Sequence, residues 1–300
     1  FIMSKVPSIS IGLPVYNGER FLKETIDSIL DQTFTDFELI ISDNASSDQT
    51  KTICREYIIK DKRIKYFQQT NNIGFFNNYS FVLQSAVGNY FLWIAADDLL
   101  ADKEYFNNLL KKFTSDVDYV FSDVKIIDSQ KNIIKPHLML PFKKAKTRFD
   151  FAKASILNNS QILYGLFKTS KLREDFYLLE KFRDLLCYWE GYFVHVVSIE
   201  RKGIFVPTAC KLYRRHDTNL ATKLIATKRL QYFLRYASAS LKYFYTLKYF
   251  SVYQKFPLIS LMLSRQICYL FRILLSMIAQ KFPTINNWRR NCILYLRSKE

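Results

Sequence analysis

Apolar positions in the first half of the chain fall into two alternating rhythms. SISIGLPVY (8–16) is a β-branched run ending at Pro14 and predicts a strand. ERFLKETIDSILDQ (19–32) places Phe21, Leu22, Ile26, Ile29 and Leu30 at helical spacing. FELIISD (37–43) predicts a second strand, and Asp48 opens a helix that runs to about Lys60. RIKYFQQ (63–69) predicts a strand, NNYSFVLQSAVG (77–88) a helix and NYFLWIA (89–95) a fourth strand. YFNNLLKKF (105–113) then predicts a helix and YVFSDVKIID (119–128) a strand. Alternating helices with continuously apolar strands imply an α/β fold, a mostly parallel sheet covered by helices on both faces. In such sheets ligands sit beyond the carboxyl ends of the strands. Asn17, Asp43 and Asp97 each lie at or just past such an end.

Residues 129–210 are less regular. QILYGLFK (161–168) predicts a strand, and a helix from about Trp189 to Lys202 is stopped by Gly203. IFVPTACKLY (204–213) returns as extended chain, and no internal repeat is visible.

Composition adds bounds. The 300 residues are 49% hydrophobic and 24% charged, which fits a globular chain and excludes a disordered one. Five cysteines form no C-x-x-C pair, which points to a reducing compartment without a zinc site. FIMSKVPSIS lacks the long apolar core of a signal peptide. The net charge of +17 is uneven: residues 211–300 hold 17 Lys and Arg against only Asp217 and Glu300. This shift suggests a globular domain over residues 4–224 and a basic, aromatic-rich amphipathic helical region over 225–300.

The carboxylates are the candidate chemistry. Asp43, in SDNASSDQT, reads either as a turn residue or as an acceptor for an imide N–H of uracil or thymine. Asp97 and Asp98 read either as a helix cap or as ligands of a hard divalent cation that shares phosphates with a substrate. Adjacent strand residues point to opposite faces. One acid on the metal and the other on the backbone is therefore the simpler arrangement.

Taken together, PVYN (14–17), SDNASSD (42–48), NNIG (71–74) and WIAADD (93–98) resemble family 2 glycosyltransferases of the nucleotide-sugar-dependent GT-A fold. LYGLFKTSKLR (163–173) and KLYRRHDTN (211–219) extend the likeness more weakly. The resemblance implies an inverting enzyme that moves a sugar from a nucleoside diphosphate sugar, UDP-linked, with Mg²⁺ or Mn²⁺. Pro14, Tyr16, Asn17, Asp43, Asn72 and Gly74 would then line the nucleotide. Asp97 would hold the metal with Asp98 beside it at the nucleotide, and Ala95 stands where the family pattern has a further acid. Tyr213, Arg214 and His216 resemble a Y-R-x-H segment, which places Arg214 on the diphosphate and His216 near the metal. The family's base lies about eleven residues before a K-G glycine. Counting from Gly203 gives Tyr192, so the nearest upstream acid, Glu190, is the first candidate and Asp184 the second. Each also reads as an ordinary acid at a helix start. His137 and His195 have no such context. A catalytically silent nucleotide-binding or scaffold protein of the same fold is the competing reading, motivated by Ala95. An oxidoreductase is disfavoured, since no G-x-G-x-x-G follows the first strand.

The last ninety residues suggest the acceptor's setting. No stretch reaches the roughly 18 charge-free apolar residues that span a bilayer. Residues 256–282 are interrupted by Arg265 and Arg272, seven apart, and Lys228, Arg235 and Lys242 repeat that spacing. A basic stripe with aromatic flanks and an apolar face describes a helix lying in a membrane interface. The expected setting is the cytoplasmic face of the cell membrane, with a glycan or lipid-linked acceptor in surface polysaccharide synthesis. Packing on the core or in a homodimer is the alternative for the same helices. RNA binding lacks a motif.

Overall fold

The computed structural model describes residues 6–157, 161–177, 179, 188–217, 233–234, 237–238, 240 and 252–281. Strands β1 (Ile9–Val15) and β2 (Phe37–Asp43) are buried along their whole length and pair in parallel, from Ile9 opposite Phe37 to Val15 opposite Asp43. β3 (Ile64–Gln68) adds to β2, and β4 (Tyr90–Trp93) adds to β1, both in parallel. The crossovers are α1 (Leu22–Leu30), α2 (Thr50–Lys60) and α3 (Phe75–Gln84). Alternation along β4 sends Phe91 and Trp93 into one apolar cluster, with Phe76, Tyr79 and Val82 of α3. Leu92 and Ile94 enter the other, with Leu22, Ile26 and Ile29 of α1. Both faces are therefore covered, which is why these strands read as unbroken apolar runs.

Beyond β4 the sheet is mixed. Its order is β3-β2-β1-β4-β8-β6-β9-β5, with β7 paired to β6. The further strands are β5 (Leu99–Leu100), β6 (Tyr119–Ile127), β7 (Ile133–Lys135), β8 (Leu166–Lys168) and β9 (Gly203–Arg214). Between them lie α4 (Tyr105–Leu110), α5 (Leu140–Lys143), α6 (Arg148–Leu157), a 3-10 turn (Gln161–Tyr164), α7 (Thr169–Tyr177) and α8 (Tyr188–Glu200). The strand expected over 161–168 is thus split. Gly165 sits where a Cβ would come 2.7 Å from the Val120 carbonyl, so the chain makes its turn against β6 before β8 begins. Arg173 of α7 donates to the carbonyls of Leu83, Gln84 and Ala86, which closes the end of α3.

β9 pairs irregularly. It runs parallel to β6, but Ser122 faces Val206 while the next residue, Asp123, faces Cys210. Pro207, Thr208 and Ala209 are therefore extra, and the bulge takes up a proline that could not donate to the ladder. At the start of β9 a Cβ on Gly203 would lie 2.1 Å from Cζ of Tyr119. The helix stop read at Gly203 is also a packing contact.

The last described helix, α9 (Val252–Lys281), lays Leu258 and Met262 on Ala152 and Ile156 of α6 and Ile199 of α8. Its Leu263, Ile267, Phe271 and Leu274 remain exposed. Among the described residues, no helix is long and apolar enough to cross a membrane. The boundary expected at 224/225 lies outside the described residues.

Candidate active site

After Trp93 the β4 chain turns, and the Asp98 N–H donates to the Ala95 carbonyl at 3.1 Å. Thr25 of α1 places its hydroxyl 3.0 Å from the Ala96 carbonyl and 2.8 Å from that of Asp98, which pins the turn to the helix. The two acids then diverge. Asp98 is fully buried: Lys211 Nζ donates to Oδ2 at 2.7 Å and the Arg214 backbone N–H to Oδ1 at 3.0 Å. Burial pushes its carboxyl up to about 6, against the pull of Lys211. Asp98 was expected at the nucleotide. It is instead turned inward and ties the turn to β9, because a buried carboxylate requires a charged partner and β9 supplies one.

Asp97 faces outward. Its Oδ2 lies 2.8 Å from Nε2 of His216, whose ring rests on Phe21 with centroids 4.9 Å apart. Arg214, expected on the diphosphate, is also redirected. It is fully buried, with its guanidinium 4.3 Å above the Phe21 ring. It donates to the carbonyls of Asp97 (3.0 Å) and Ser129 (3.1 Å) and to Glu24 Oε2 (2.6 Å). Burial would raise the Glu24 carboxyl, but the bonds from Lys131 and Arg214 outweigh it and hold it low. Arg214 therefore braces the turn from beneath.

Among the described residues, no group of three His, Cys, Asp or Glu side chains could enclose a metal ion. Asp97 and His216 still fit Mg²⁺ or Mn²⁺. One carboxylate and one imidazole side by side suffice when substrate phosphates and water complete the shell.

The residues expected to line a nucleotide lie at and just after the tips of β1 and β2. Pro14 is buried, Tyr16 is 53% exposed, and Asn17 takes a left-handed φ of 51°. The Asn17 N–H donates to Ser46 Oγ, and its side-chain carbonyl accepts from the Ser47 N–H, both at 2.9 Å. Asp43 is fully buried, accepting from the Ser46 N–H at 2.9 Å and the Tyr66 hydroxyl at 2.8 Å. An imide N–H would have to share or replace the Tyr66 bond. Asn44 accepts from the Ile73 N–H at 2.8 Å and donates to Asn72 Oδ1 at 3.0 Å, which fixes the 71–74 loop beside this rim. Gly74 opens α3 at φ 86°, and a Cβ there would meet nothing within 4 Å, so glycine is required for conformation and not for space.

Glu190 lies in the first turn of α8, partly buried. Burial pushes its carboxyl up to about 8; Lys211 pulls it down and Asp98 pushes it further up. The preceding Trp189 packs on Phe75, Phe76 and Tyr79, so the start of α8 meets the start of α3. Asp184 lies outside the described residues. His137 bonds Asp123 at 2.5 Å, and His195 is buried with Ser155 3.4 Å away. Neither joins Asp97.

Lys211, Thr25, Glu24, Tyr66 and the Tyr79–Tyr164 pair were not singled out by sequence reasoning. For Lys211 a signal existed, since it sits in a strand segment between Ala209 and Tyr213, at the alternate positions that face inward. The bulge that fixes this register is not written in the periodicity.

The family model described as glycosyl transferase family 2 matches residues 10–171. An uncharacterised glycosyltransferase of Rickettsia typhi is 30% identical over 212 residues, 65% of this chain and 64% of the relative's length. One of Methanocaldococcus jannaschii is 35% identical over 150 residues, 48% of this chain and 49% of the relative. The chain thus spans less than two thirds of these relatives. Among solved structures, S. aureus TarS 1-349 in complex with UDP-GlcNAc aligns at a TM-score of 0.66 and 16% identity, covering 96% of this chain and 89% of that one. The mannosyltransferase PcManGT from Pyrobaculum calidifontis in complex with GDP-Man and Mn²⁺ aligns at 0.56 and 14% identity, covering 98% and 85%. At these identities the likeness fixes the fold, a GT-A arrangement of sheet and helices. With the family model spanning more than half its length, this chain belongs to glycosyl transferase family 2.

Proposed function

We propose that the chain transfers a sugar, with inversion, from a nucleoside diphosphate sugar to a glycan or lipid-linked acceptor in surface polysaccharide synthesis. The observation that carries this reading is the meeting of Asp97 and His216, 2.8 Å apart, at the rim where the β1, β2 and β4 tips converge. The complexes of TarS with UDP-GlcNAc and of PcManGT with GDP-Man support a nucleotide sugar as donor. A UDP-linked donor is our choice, with Asp43 accepting the imide N–H of uracil and Tyr16 beside the ring.

In the reaction, the acceptor oxygen bonds to the anomeric carbon as the bond from that carbon to the β-phosphate oxygen breaks. The nucleoside diphosphate leaves with the electron pair, and Glu190 takes the acceptor's proton. Mg²⁺ or Mn²⁺ held by Asp97 and His216 would supply Lewis-acid stabilisation of the leaving diphosphate. Arg214 and Asp98 keep the turn that aims Asp97. The acceptor is brought near by α9 lying on a membrane surface.

Calorimetry with UDP, with and without Mn²⁺, and a nucleotide-sugar hydrolysis assay test this together. The expected result is metal-dependent binding and turnover that Asp97→Ala abolishes. Binding without any turnover across a donor panel would favour the silent-scaffold reading instead.

A further inference from the structure

Arg214, the arginine expected on the diphosphate, is closed to a ligand. It is fully buried, and its donors go to Asp97, Ser129 and Glu24. Lys211 is closed off in the same way on Asp98. A leaving diphosphate carries more negative charge than one divalent ion offsets, and sites of this chemistry add Arg or Lys for that reason. A supporting cation has to come from another side chain of the rim.

Arg20 stands in that place. Residues 18 and 19 are stitched to the loop after β2. The Gly18 N–H donates to Thr50 Oγ1 at 2.9 Å, the Glu19 N–H donates to Asp48 Oδ2 at 3.0 Å, and Glu19 Oε2 accepts from the Gln49 N–H at 2.9 Å. These bonds fix the short segment between Asn17, on the expected nucleotide rim, and α1. Arg20 follows, and its Nη1 donates to Asp217 Oδ1 at 3.2 Å. Its guanidinium carbon lies 4.8 Å from the centre of the Phe21 ring, and the His216 ring lies 4.9 Å from the same centre. One aromatic ring therefore carries both the guanidinium of Arg20 and the imidazole that meets Asp97. A nucleoside at Asn17 and a metal at Asp97 and His216 would be joined by the diphosphate. Arg20 lies three residues after the first and beside the second.

Stability does not account for this arginine. The Arg20–Asp217 pair is exposed on both sides, 52% and 78%, and such pairs contribute little. A guanidinium presents five N–H donors in a planar fork that matches phosphate oxygens. Arg20 can therefore take a phosphate while it keeps Asp217 or exchanges it.

We propose that Arg20 is a diphosphate-binding residue, with the Phe21 ring as the platform that sets its guanidinium beside His216. This rests on the donor reading above, a nucleoside diphosphate sugar with its metal at Asp97 and His216.

The test is calorimetry of UDP and of uridine against the full chain, in metal-free buffer and with Mn²⁺. Arg20→Gln should weaken UDP about 10–100-fold, the scale of a lost charge-assisted hydrogen bond, and leave uridine unchanged. Arg20→Lys should recover part of the loss. Asp217→Asn, which removes the competing carboxylate, should bind UDP at least as tightly as the wild type. Equal weakening by Arg20→Gln and Asp217→Asn would reveal only a latch between α1 and the 214–217 segment, and would overturn the proposal. Equal weakening by Lys131→Gln, which removes another exposed cation, tied to Glu24 at 3.2 Å, would reveal a general field and overturn it too. Where the wild type binds UDP more tightly than uridine, an unmoved UDP affinity in Arg20→Gln overturns the proposal and leaves the donor reading standing. A wild type that binds neither, with or without Mn²⁺, removes the donor reading and this inference with it.

Discussion

Asp97 and Asp98 share a peptide bond and little else. Asp97 reaches His216 at the rim, and Asp98 is closed off between Lys211 and the Arg214 backbone. Truncating Asp98 would leave a buried ammonium unpaired, so Asp98→Ala should cost about 3–5 kcal/mol in urea unfolding. Glu190 makes the opposite prediction. Its carboxyl is raised to about 8 in the folded chain, well above its unfolded value, so the folded state binds the extra proton. Stability from this group is present at low pH and is lost as pH rises towards 8. Glu190→Gln should therefore raise the thermal midpoint at pH 9 while lowering kcat by about 10²–10⁴-fold. A midpoint that falls, or activity that survives, would remove Glu190 from the role. The positions of Asp43 at a strand end, Asp97 just past one and Glu190 at a helix start were legible from the periodicity. The inward turn of Asp98 and Arg214 was not, since it depends on the three-residue bulge that sets the β9 register.

Among the elements, the first half of the sheet was readable because strands covered on both faces leave unbroken apolar runs and their crossover helices leave a single stripe. α6 was not. It packs against α5, α8 and α9, but Arg148, Asp150, Lys153 and Ser155 are scattered among its apolar residues, so no single polar face gives a helical rhythm. The same logic hid α7, whose Arg173 and Asp175 are used internally to hold α3 and Arg201. Close approach, by contrast, can be tested one atom at a time. Gly203→Ala brings a Cβ within 2.1 Å of Cζ of Tyr119, a ring buried between Phe121 and Phe167. The ring must shift, and the expected loss is about 1–3 kcal/mol by urea unfolding. An unchanged midpoint would show that the α8–β9 junction has slack.

Across the whole molecule, charge is segregated, and the basic end carries a helix that is apolar on two sides. Leu258 and Met262 seat α9 on α6 and α8, so part of the competing expectation, packing on the core, holds. Leu263, Ile267, Phe271 and Leu274 face away from that seat. Under the membrane proposal, Ile267→Asp with Phe271→Asp should release the protein from vesicles containing anionic lipid without moving its thermal midpoint. Rising salt should weaken the wild-type association, since the Debye length falls from about 10 Å at 0.1 M to about 3 Å at 1 M. Vesicle binding that ignores both changes would leave the exposed stripe for a second copy of the chain.

Within six positions of β9 and the residues just after it, Lys211 meets Asp98, the Arg214 N–H meets the other oxygen of the same carboxylate, and His216 meets Asp97. A strand keeps such appointments only at fixed intervals, because sliding by one residue exchanges its inner and outer sides. Side chains here can be swapped and the damage measured. Adding or deleting a single residue between 211 and 216 would instead throw the contacts on one side of it out of step with those on the other, so the length of this stretch matters as much as its side chains.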